Sequence, residues 1–315
     1  MSRAVVATAY GSPDVLEVVD VEVGDPGPGQ VRIDVRASGV NPADWKSYSG
    51  VWGKDPAKLP IRLGFEAAGV ITAVGEGASG PAGPLAVGDE VIAFRVSGAY
   101  ADELVCKASA VVPKPASLGW PEAAGLMLTG ATAVHALTAA GVSEGETVLV
   151  HGGAGGVGLM LVQLARVRGA TVIATASERN SDLLRRFGAQ PVTYGGGLAD
   201  RVRALAPGGV DAAIDAVGTD EAVDVSVELV PNSQRVATIA AFGRAPELGI
   251  KLLGNGPGAD PGTEIRDAAR TELARLAAEG RVTVVVARTY PLAEAADAHR
   301  DGLEGHGSGK IVLVP

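Results

Sequence analysis

The sequence predicts an α/β protein of two domains, an irregular strand-rich one and one built on a doubly wound parallel sheet. Three observations carry this expectation. A chain of 315 residues, 47% of them hydrophobic, suffices for about two cores of ordinary size. The first third consists of short apolar runs broken by Gly and Pro clusters such as GEGASGPAGP. From Trp120 onward, compact β-branched runs alternate with helical stretches, the pattern of parallel strands that need helices on both faces.

Taken in order, Val31, Ile33 and Val35 alternate with Arg32, Asp34 and Arg36, which predicts a half-buried strand. AAGVITAVG, DEVIAF and ELVCKASAVV read as further strands. PEAAGLMLTGATAVHALTAAG is rich in Ala and Leu, with Gly141 placed as a C-cap, so helices begin here. TVLV, the helix after Gly156, TVIATA, SDLLRRFGA, VDAAIDAVG and RVATIAAFG then alternate strand and helix. IRDAARTELARLAAEG places Ile265, Ala269, Leu273 and Leu276 on one stripe, and Gly280 can close that helix. Val282, Val284 and Val286 alternate as a strand, a helix covers about 292–303, and GKIVLVP ends the chain as a strand that returns to the first domain. This assigns residues 1–118 and 264–315 to the first domain and 119–263 to the second.

Composition removes several functions. A net charge of −9 disfavours nucleic acid and anionic membranes, whose binding needs clustered Lys and Arg. The single cysteine, Cys106, rules out an internal disulfide, fits a reducing compartment and reads as a small hydrophobe in a strand. MSRAVVATAYG lacks a signal pattern and no bilayer-spanning apolar run occurs, so a soluble, cytoplasmic protein is expected. Neither G-x-S-x-G nor a P-loop lysine is present, which leaves hydrolase and NTPase readings without local support.

The most specific local signal is HGGAGGVG at 151–158, between TVLV and a helix. Gly153, Gly155 and Gly158 make G-x-G-x-x-G in its strand-turn-helix context. One glycine turns the chain, one admits a pyrophosphate and one lets helix pack on strand. Together with Ala154, Gly156 and Val157 they offer amides at a helix N-terminus to the phosphates of a dinucleotide. At the end of the next strand an NAD-binder usually carries a carboxylate. Here TVIATASERN puts Thr175, Ala176 and Ser177 there, with Ser177 and Arg179 able to bind a 2′-phosphate and Glu178 opposing it. NADP(H) is therefore expected; on the other reading, Ser177 caps the next helix and Arg179 is a surface charge.

The segments ASGVNPADWKSYSG, RLGFEAAGVITAVG, VGDEV, LTGATAVHAL, VLVHGGAGGVG, ATASERN, TYPLAEAADAH and GKIVLVP spread over nearly the whole chain. In them the sequence resembles the zinc-free medium-chain dehydrogenase/reductase group, the quinone oxidoreductases and enone or alkenal reductases. The resemblance implies a GroES-like partly open β-barrel domain plus a Rossmann domain, hydride transfer from NADPH to a small quinone or enone, and a homodimer paired through Rossmann edge strands, with RVATIAAFG and ELGIKLLG as candidates. It also implies cofactor contacts at Asn41, Thr129, Ala216, Val217 and Gly218. Zinc-dependent relatives carry a cysteine where Asn41 falls and a His-Glu pair where Phe65-Glu66 falls. One cysteine and the scattered His135, His151, His299 and His306 cannot rebuild those sites, so no metal is expected.

Without a metal, donors must stabilise negative charge on the substrate carbonyl oxygen. GVNPADWKSYSG offers the Asn41 amide, the Lys46 ammonium and the Tyr48 hydroxyl, with Asp44 bracing the loop. The resemblance supports Asn41 and Lys46, because the enone reductases share N-P-x-D-x-K; this favours activated alkenes. A dedicated enoyl or ketone reductase of a biosynthetic pathway, and a non-catalytic NADPH-binding sensor or structural protein, stand as alternatives. GNGPGADPG at 254–262 reads as an open or mobile wall.

Overall fold

The computed structural model describes every residue except His306, and the reading of that histidine lies outside the described residues. Along the chain come β1 (Ser2–Ala7), β2 (Leu16–Val21), β3 (Gln30–Val40), α1 (Pro42–Ser49), β4 (Ile61–Arg62), β5 (Glu66–Val74), β6 (Ser79–Gly80), β7 (Gly83–Pro84), β8 (Glu90–Phe94), β9 (Glu103–Lys107), β10 (Val111–Pro113), α2 (Trp120–Ala124) and α3 (Met127–Ala139). The second half holds β11 (Thr147–His151), α4 (Gly156–Val167), β12 (Thr171–Ala176), α5 (Ser181–Arg186), β13 (Gln190–Thr193), α6 (Leu198–Leu205), β14 (Ala212–Asp215), α7 (Asp220–Leu229), β15 (Val236–Thr238), α8 (Ala245–Leu248), β16 (Lys251–Leu252), α9 (Thr263–Ala278), β17 (Val286–Pro291), α10 (Ala295–Glu304) and β18 (Lys310–Val314).

One compact unit comprises Met1–Leu128 and Arg270–Pro315, the other Thr129–Ala269. The first break thus falls ten residues later than the composition change at 118/119 suggests, because α2 packs on β3 and β5 of the first unit. The second falls inside α9, six residues past the expected 263/264.

In the first unit β3 is the hub of a sheet ordered β10-β8-β5-β3-β18-β17, with β9 also paired to β3. The alternation at 31–35 is realised: Val31, Ile33 and Val35 pack with Ile71, Val91, Ala93 and the buried, free Cys106. The closing strand returns as expected, β18 lying antiparallel to β3 with Ile311 opposite Val40 and Val312 opposite Gly39. This sets Lys310 beside the turn that succeeds β3. The strand expected from Val282 begins only at Val286. Val282 and Val284 are buried, but the parallel register with β18 starts at the Val286/Lys310 pair.

In the second unit six parallel strands run in the order β13-β12-β11-β14-β15-β16. The order reverses direction at β11, and the glycine loop leaves its carboxyl end, where doubly wound sheets take up ligands. RVATIAAFG supplies β15, which lies between β14 and β16 and is not an edge; ELGIKLLG supplies β16, which is. The stretch 254–262 is also not an open wall. Gly254 donates to Asp260 O at 2.8 Å and Asp260 donates back to Leu252 O at 2.8 Å, folding the segment onto the end of β16. The Asp260 carboxylate meets the buried ring of His135 at 3.0 Å, and a Cβ on Gly262 would lie 2.3 Å from that ring. Glycine here permits close packing against His135.

Candidate active site

The glycine loop is pinned by the neighbouring strand. Thr175, at the end of β12, accepts the Gly152 N–H on its hydroxyl at 3.1 Å and the Gly153 N–H on its carbonyl at 2.9 Å. The residue that turns the chain is Gly152, with φ of +73°, one position before the counted motif. A Cβ on Gly153 would lie 2.8 Å from Ala174 Cβ, and one on Gly158 only 2.1 Å from Gly152 O. Those two glycines are demanded by packing. Gly155 differs: it is exposed, and the nearest atom to a Cβ there is Gly152 O at 3.5 Å, an ordinary contact. Nothing in the protein requires glycine at 155, so the open space over its backbone fits a ligand that comes close to it. Gly155 is also the N-cap of α4, and the first-turn amides of Gly156, Val157 and Gly158 have no acceptor within the helix. Ala154 is buried.

At the tip of β12, Ser177 makes no side-chain cap; its hydroxyl accepts from Asn180 Nδ2 at 3.2 Å and keeps its own proton to donate. Arg179 is exposed. Glu178 is exposed beside it. The register of β12 with β13 pairs Ala176 with Thr193, which brings the next residues, Ser177 and the exposed Tyr194, to the same end of the sheet. Tyr194 is not announced by any motif; its only signal in the sequence is a lone aromatic after the QPVT strand. Asp215 shapes the 216–218 turn, accepting from Val217 N at 2.9 Å, Gly218 N at 2.8 Å and Thr238 Oγ1 at 2.6 Å. Val217 is thereby left exposed between half-buried Ala216 and Gly218. Thr129 is buried in the first turn of α3.

In the first unit the turn after β3 starts α1 with Asn41 as N-cap and Pro42 at the first helical position. Asp44 braces it as expected, its carboxylate accepting from Asn41 N at 2.8 Å and Gly64 N at 3.1 Å. Burial pushes that carboxyl up to about 7, against the pull of the Asn41 amide, Tyr100 and Lys310.

Asn41 and Tyr48 are engaged by neighbours inside the first unit. Asn41 gives its amide hydrogens to Gly39 O at 3.1 Å and Glu66 Oε1 at 3.0 Å, while its oxygen accepts from Lys310 Nζ at 2.5 Å. Asn41 is buried, and both its amide hydrogens are engaged. Tyr48 lies in the apolar core with Leu63, Leu292 and Leu313, and its hydroxyl is bonded to His299 Nδ1 at 2.8 Å. Lys46 is half-buried, its ammonium drawn below the usual lysine value by desolvation.

Lys310 is a neighbour of this turn that the sequence reading did not name, and Glu66 entered that reading only as the position of the zinc relatives' glutamate. Lys310 Nζ bonds Val40 O at 2.8 Å and Glu66 Oε1 at 3.1 Å, and Glu66 Oε2 accepts from Leu128 N at 2.8 Å. A fully buried ion pair with Asn41 as its third member thus sits behind the turn. Among the described residues no three His, Cys, Asp or Glu side chains gather into a metal site.

A first unit with this sheet, joined to a doubly wound sheet with a glycine-rich first βα turn, defines a class, the medium-chain dehydrogenases/reductases. Residues 27–116 match the alcohol dehydrogenase GroES-like domain, and residues 187–313 match a family described as zinc-binding dehydrogenase. The chain is 32% identical to a rat quinone oxidoreductase over all of this chain and 98% of that one. It is 34% identical to a 2-haloacrylate reductase of a Burkholderia species over 100% and 99%. A mycobacterial protein solved with NADPH superposes with a TM-score of 0.86 at 33% identity, over 99% of this chain and 100% of that one. Within that class the chain belongs to the zinc-free quinone oxidoreductase group.

Proposed function

We propose that this chain is an NADPH-dependent reductase of quinones or α,β-unsaturated carbonyl compounds, with activated alkenes preferred. The observation that carries the cofactor reading is the free space over Gly155, in a loop otherwise packed against Thr175 and Ala174. The amides of 156–158 would hold the pyrophosphate, which lies over the Gly155 backbone, and Ser177, Arg179 and Tyr194 the 2′-phosphate. The 216–218 turn would line the same carboxyl end of the sheet. When bound, NADPH supplies the hydride.

Lys46 is the catalytic residue in this reading. Its ammonium stabilises the charge that develops on the carbonyl oxygen, as one donor of an oxyanion site does. Asn41 acts as a positioning residue, fixing the start of α1 through Glu66 and Lys310. The relative that reduces 2-haloacrylates, itself an activated alkene, supports the substrate preference. The reading includes a cytoplasmic setting and a homodimer paired through β16. No helix of the described residues is long and apolar enough to cross a membrane.

The test is NADPH and NADH oxidation against a panel of quinones and enones. Turnover of several enones with NADPH, at least about tenfold above NADH, is expected from one charge-assisted contact to the 2′-phosphate. Activity confined to one biosynthetic intermediate would point instead to a dedicated reductase. Tight NADPH binding without turnover of any acceptor would refute the proposal and indicate a sensor.

A further inference from the structure

The segment GNGPGADPG at 254–262 takes no part in the proposed reaction, yet it is built around two rings of the second unit. At one end, a Cβ on Gly262 would lie 2.3 Å from the His135 ring. At the other, a Cβ on Gly256 would lie 2.4 Å from Phe242 Cε1, and one on Gly254 would lie 3.6 Å from Phe242 Cζ. At 256 and 262 a side chain and a ring compete for one place, and glycine yields it to the ring.

The His135 end is fastened by hydrogen bonds. His135 is fully buried on α3; Asp260 Oδ2 meets its Nε2 at 3.0 Å, and Arg266 Nε donates to its Nδ1 at 3.3 Å. Because a guanidinium only donates, Nδ1 is the acceptor and Nε2–H donates to Asp260. The other carboxylate oxygen, Oδ1, accepts from Gly262 N at 2.9 Å, and the Asp260 backbone closes the segment onto β16 through Leu252 O and Gly254 N. One exposed carboxylate thus fastens the segment to α3.

The Phe242 end belongs to the carboxyl end of the sheet. Asp215 holds Val217 N and Gly218 N on one oxygen and Thr238 Oγ1 on the other, and the Thr238 hydroxyl accepts from Ala240 N at 3.0 Å and Ala241 N at 2.9 Å. The turns after β14 and β15 therefore form one hydrogen-bonded piece, with the half-buried ring of Phe242 seated on the segment beside it. A dinucleotide with its 2′-phosphate at the tips of β12 and β13, and its pyrophosphate over the loop after β11, extends its remaining half across the next strands in the sheet order, β14 and β15.

We infer that 254–262 is a strap that sets the Phe242 ring as a wall for the nicotinamide half of NADPH, with Asp260 and His135 as the positioning residues that hold the strap. Unfastened, the strap no longer seats the ring, which must then be ordered when the cofactor binds; that cost falls on the nicotinamide half alone. The wall rests on the proposed cofactor, whereas the coupling of Asp260 to the ring does not.

Two variants test this. Asp260→Ala unfastens the strap from an exposed position, and Gly256→Ala places a methyl where the ring lies. Aromatic 13C NMR of Phe242 without nucleotide, assigned from Phe242→Leu, is read beside amide hydrogen exchange of 254–262 and calorimetric titration with NADPH and with 2′,5′-ADP, which carries the 2′-phosphate and adenine but no nicotinamide. Both variants should shift the Phe242 resonances, and Asp260→Ala should speed exchange in the strap. Both should raise the NADPH Kd by about three- to tenfold, the cost of ordering one side chain on binding, with 2′,5′-ADP unchanged. A loss of stability in the unit would weaken both nucleotides alike. Wild-type ring resonances and strap exchange in Asp260→Ala overturn the fastening. A displaced ring with equal losses for the two nucleotides, or with none, overturns the wall. Should Gly256→Ala not fold, Phe242→Leu removes the ring and must show the same selective loss of NADPH. If wild type binds neither nucleotide, the cofactor reading fails and the wall with it, while the ring resonances still decide the fastening.

Discussion

Gly155 and Gly158 sit three residues apart in one loop, and the structure assigns them different duties that a pair of alanine variants separates. At 158 the added methyl would lie 2.1 Å from Gly152 O and 2.8 Å from Gly153 Cα, so loop or helix backbone must move. Overpacking of this kind costs about 1–3 kcal/mol, which lowers Tm by several degrees and weakens every ligand the loop holds. At 155 the methyl meets only Gly152 O at 3.5 Å, and the residue's φ of −73° suits alanine. A helix N-cap prefers glycine to alanine, but the smaller entropy of the unfolded alanine chain offsets part of that, leaving a net change within about 1 kcal/mol. If a pyrophosphate oxygen rests on that backbone, the methyl displaces it and removes a charge-assisted hydrogen bond worth about 1.5–3 kcal/mol. The NADPH Kd of Gly155→Ala should therefore rise on the order of 10- to 100-fold with Tm nearly unchanged, and calorimetric titration beside thermal unfolding reads both. A Gly155→Ala variant that binds NADPH like wild type, or one that loses as much Tm as Gly158→Ala, would refute the reasoning.

Arg179→Ala should weaken NADPH by about tenfold or more and leave NADH unchanged, as read by titrating both nucleotides; equal losses would remove Arg179 from the 2′-phosphate. Lys46→Met should lower kcat by on the order of 10²–10³ with NADPH affinity intact, the usual cost of one oxyanion donor, and unaltered kcat would exclude it. Lys310→Met leaves Glu66 charged and buried without its cation, a cost of about 3–5 kcal/mol that should appear as a Tm loss of about 10 °C. On acidification, His299, held near 4 against 6.5 in the unfolded chain, contributes stability that is present above 6.5 and lost as pH falls toward 4; the equally buried His151 acts in the same direction. Asp44, raised from 3.8 to about 7, works oppositely, its contribution growing as pH falls through 7. Urea unfolding at pH 6.5 and 4 should accordingly show His299→Gln losing less stability than wild type over that interval, and an equal or larger loss would contradict the depressed histidine.

What was legible in the sequence was local. The alternation at 31–35, the glycine-rich turn between TVLV and α4, and the stripe along α9 each specify an element through neighbours within a few positions. What was not legible depends on partners far along the chain. Asn41 reads as a free donor until Glu66, 25 residues on, and Lys310, 269 residues on, consume its side chain. Tyr48 reads as a donor to substrate until His299, 251 residues away, takes its hydroxyl into the core. The segment 254–262 reads as open because glycine freedom resembles looseness, whereas Gly262 is small so that the His135 ring can lie against its backbone. Val282 and Val284 show that alternation marks burial, while a strand also needs a ladder partner.

The two buried polar systems of the first unit meet at a single residue. Asn41 joins Glu66 and Lys310 through its side chain and Asp44 through its backbone N–H. An Asn41→Ala variant therefore strips the third member from a buried ion pair at the start of α1 while leaving the Asp44 bond formally intact. Loss of turnover in that variant is expected even though both amide hydrogens of Asn41 are engaged. Its signature is a fall in kcat accompanied by a fall in Tm, in contrast to Lys46→Met, where kcat falls alone. Should Asn41→Ala lose kcat at native Tm, the amide must leave Glu66 during turnover and point outward, and the assignment of Asn41 as a positioning residue would be wrong.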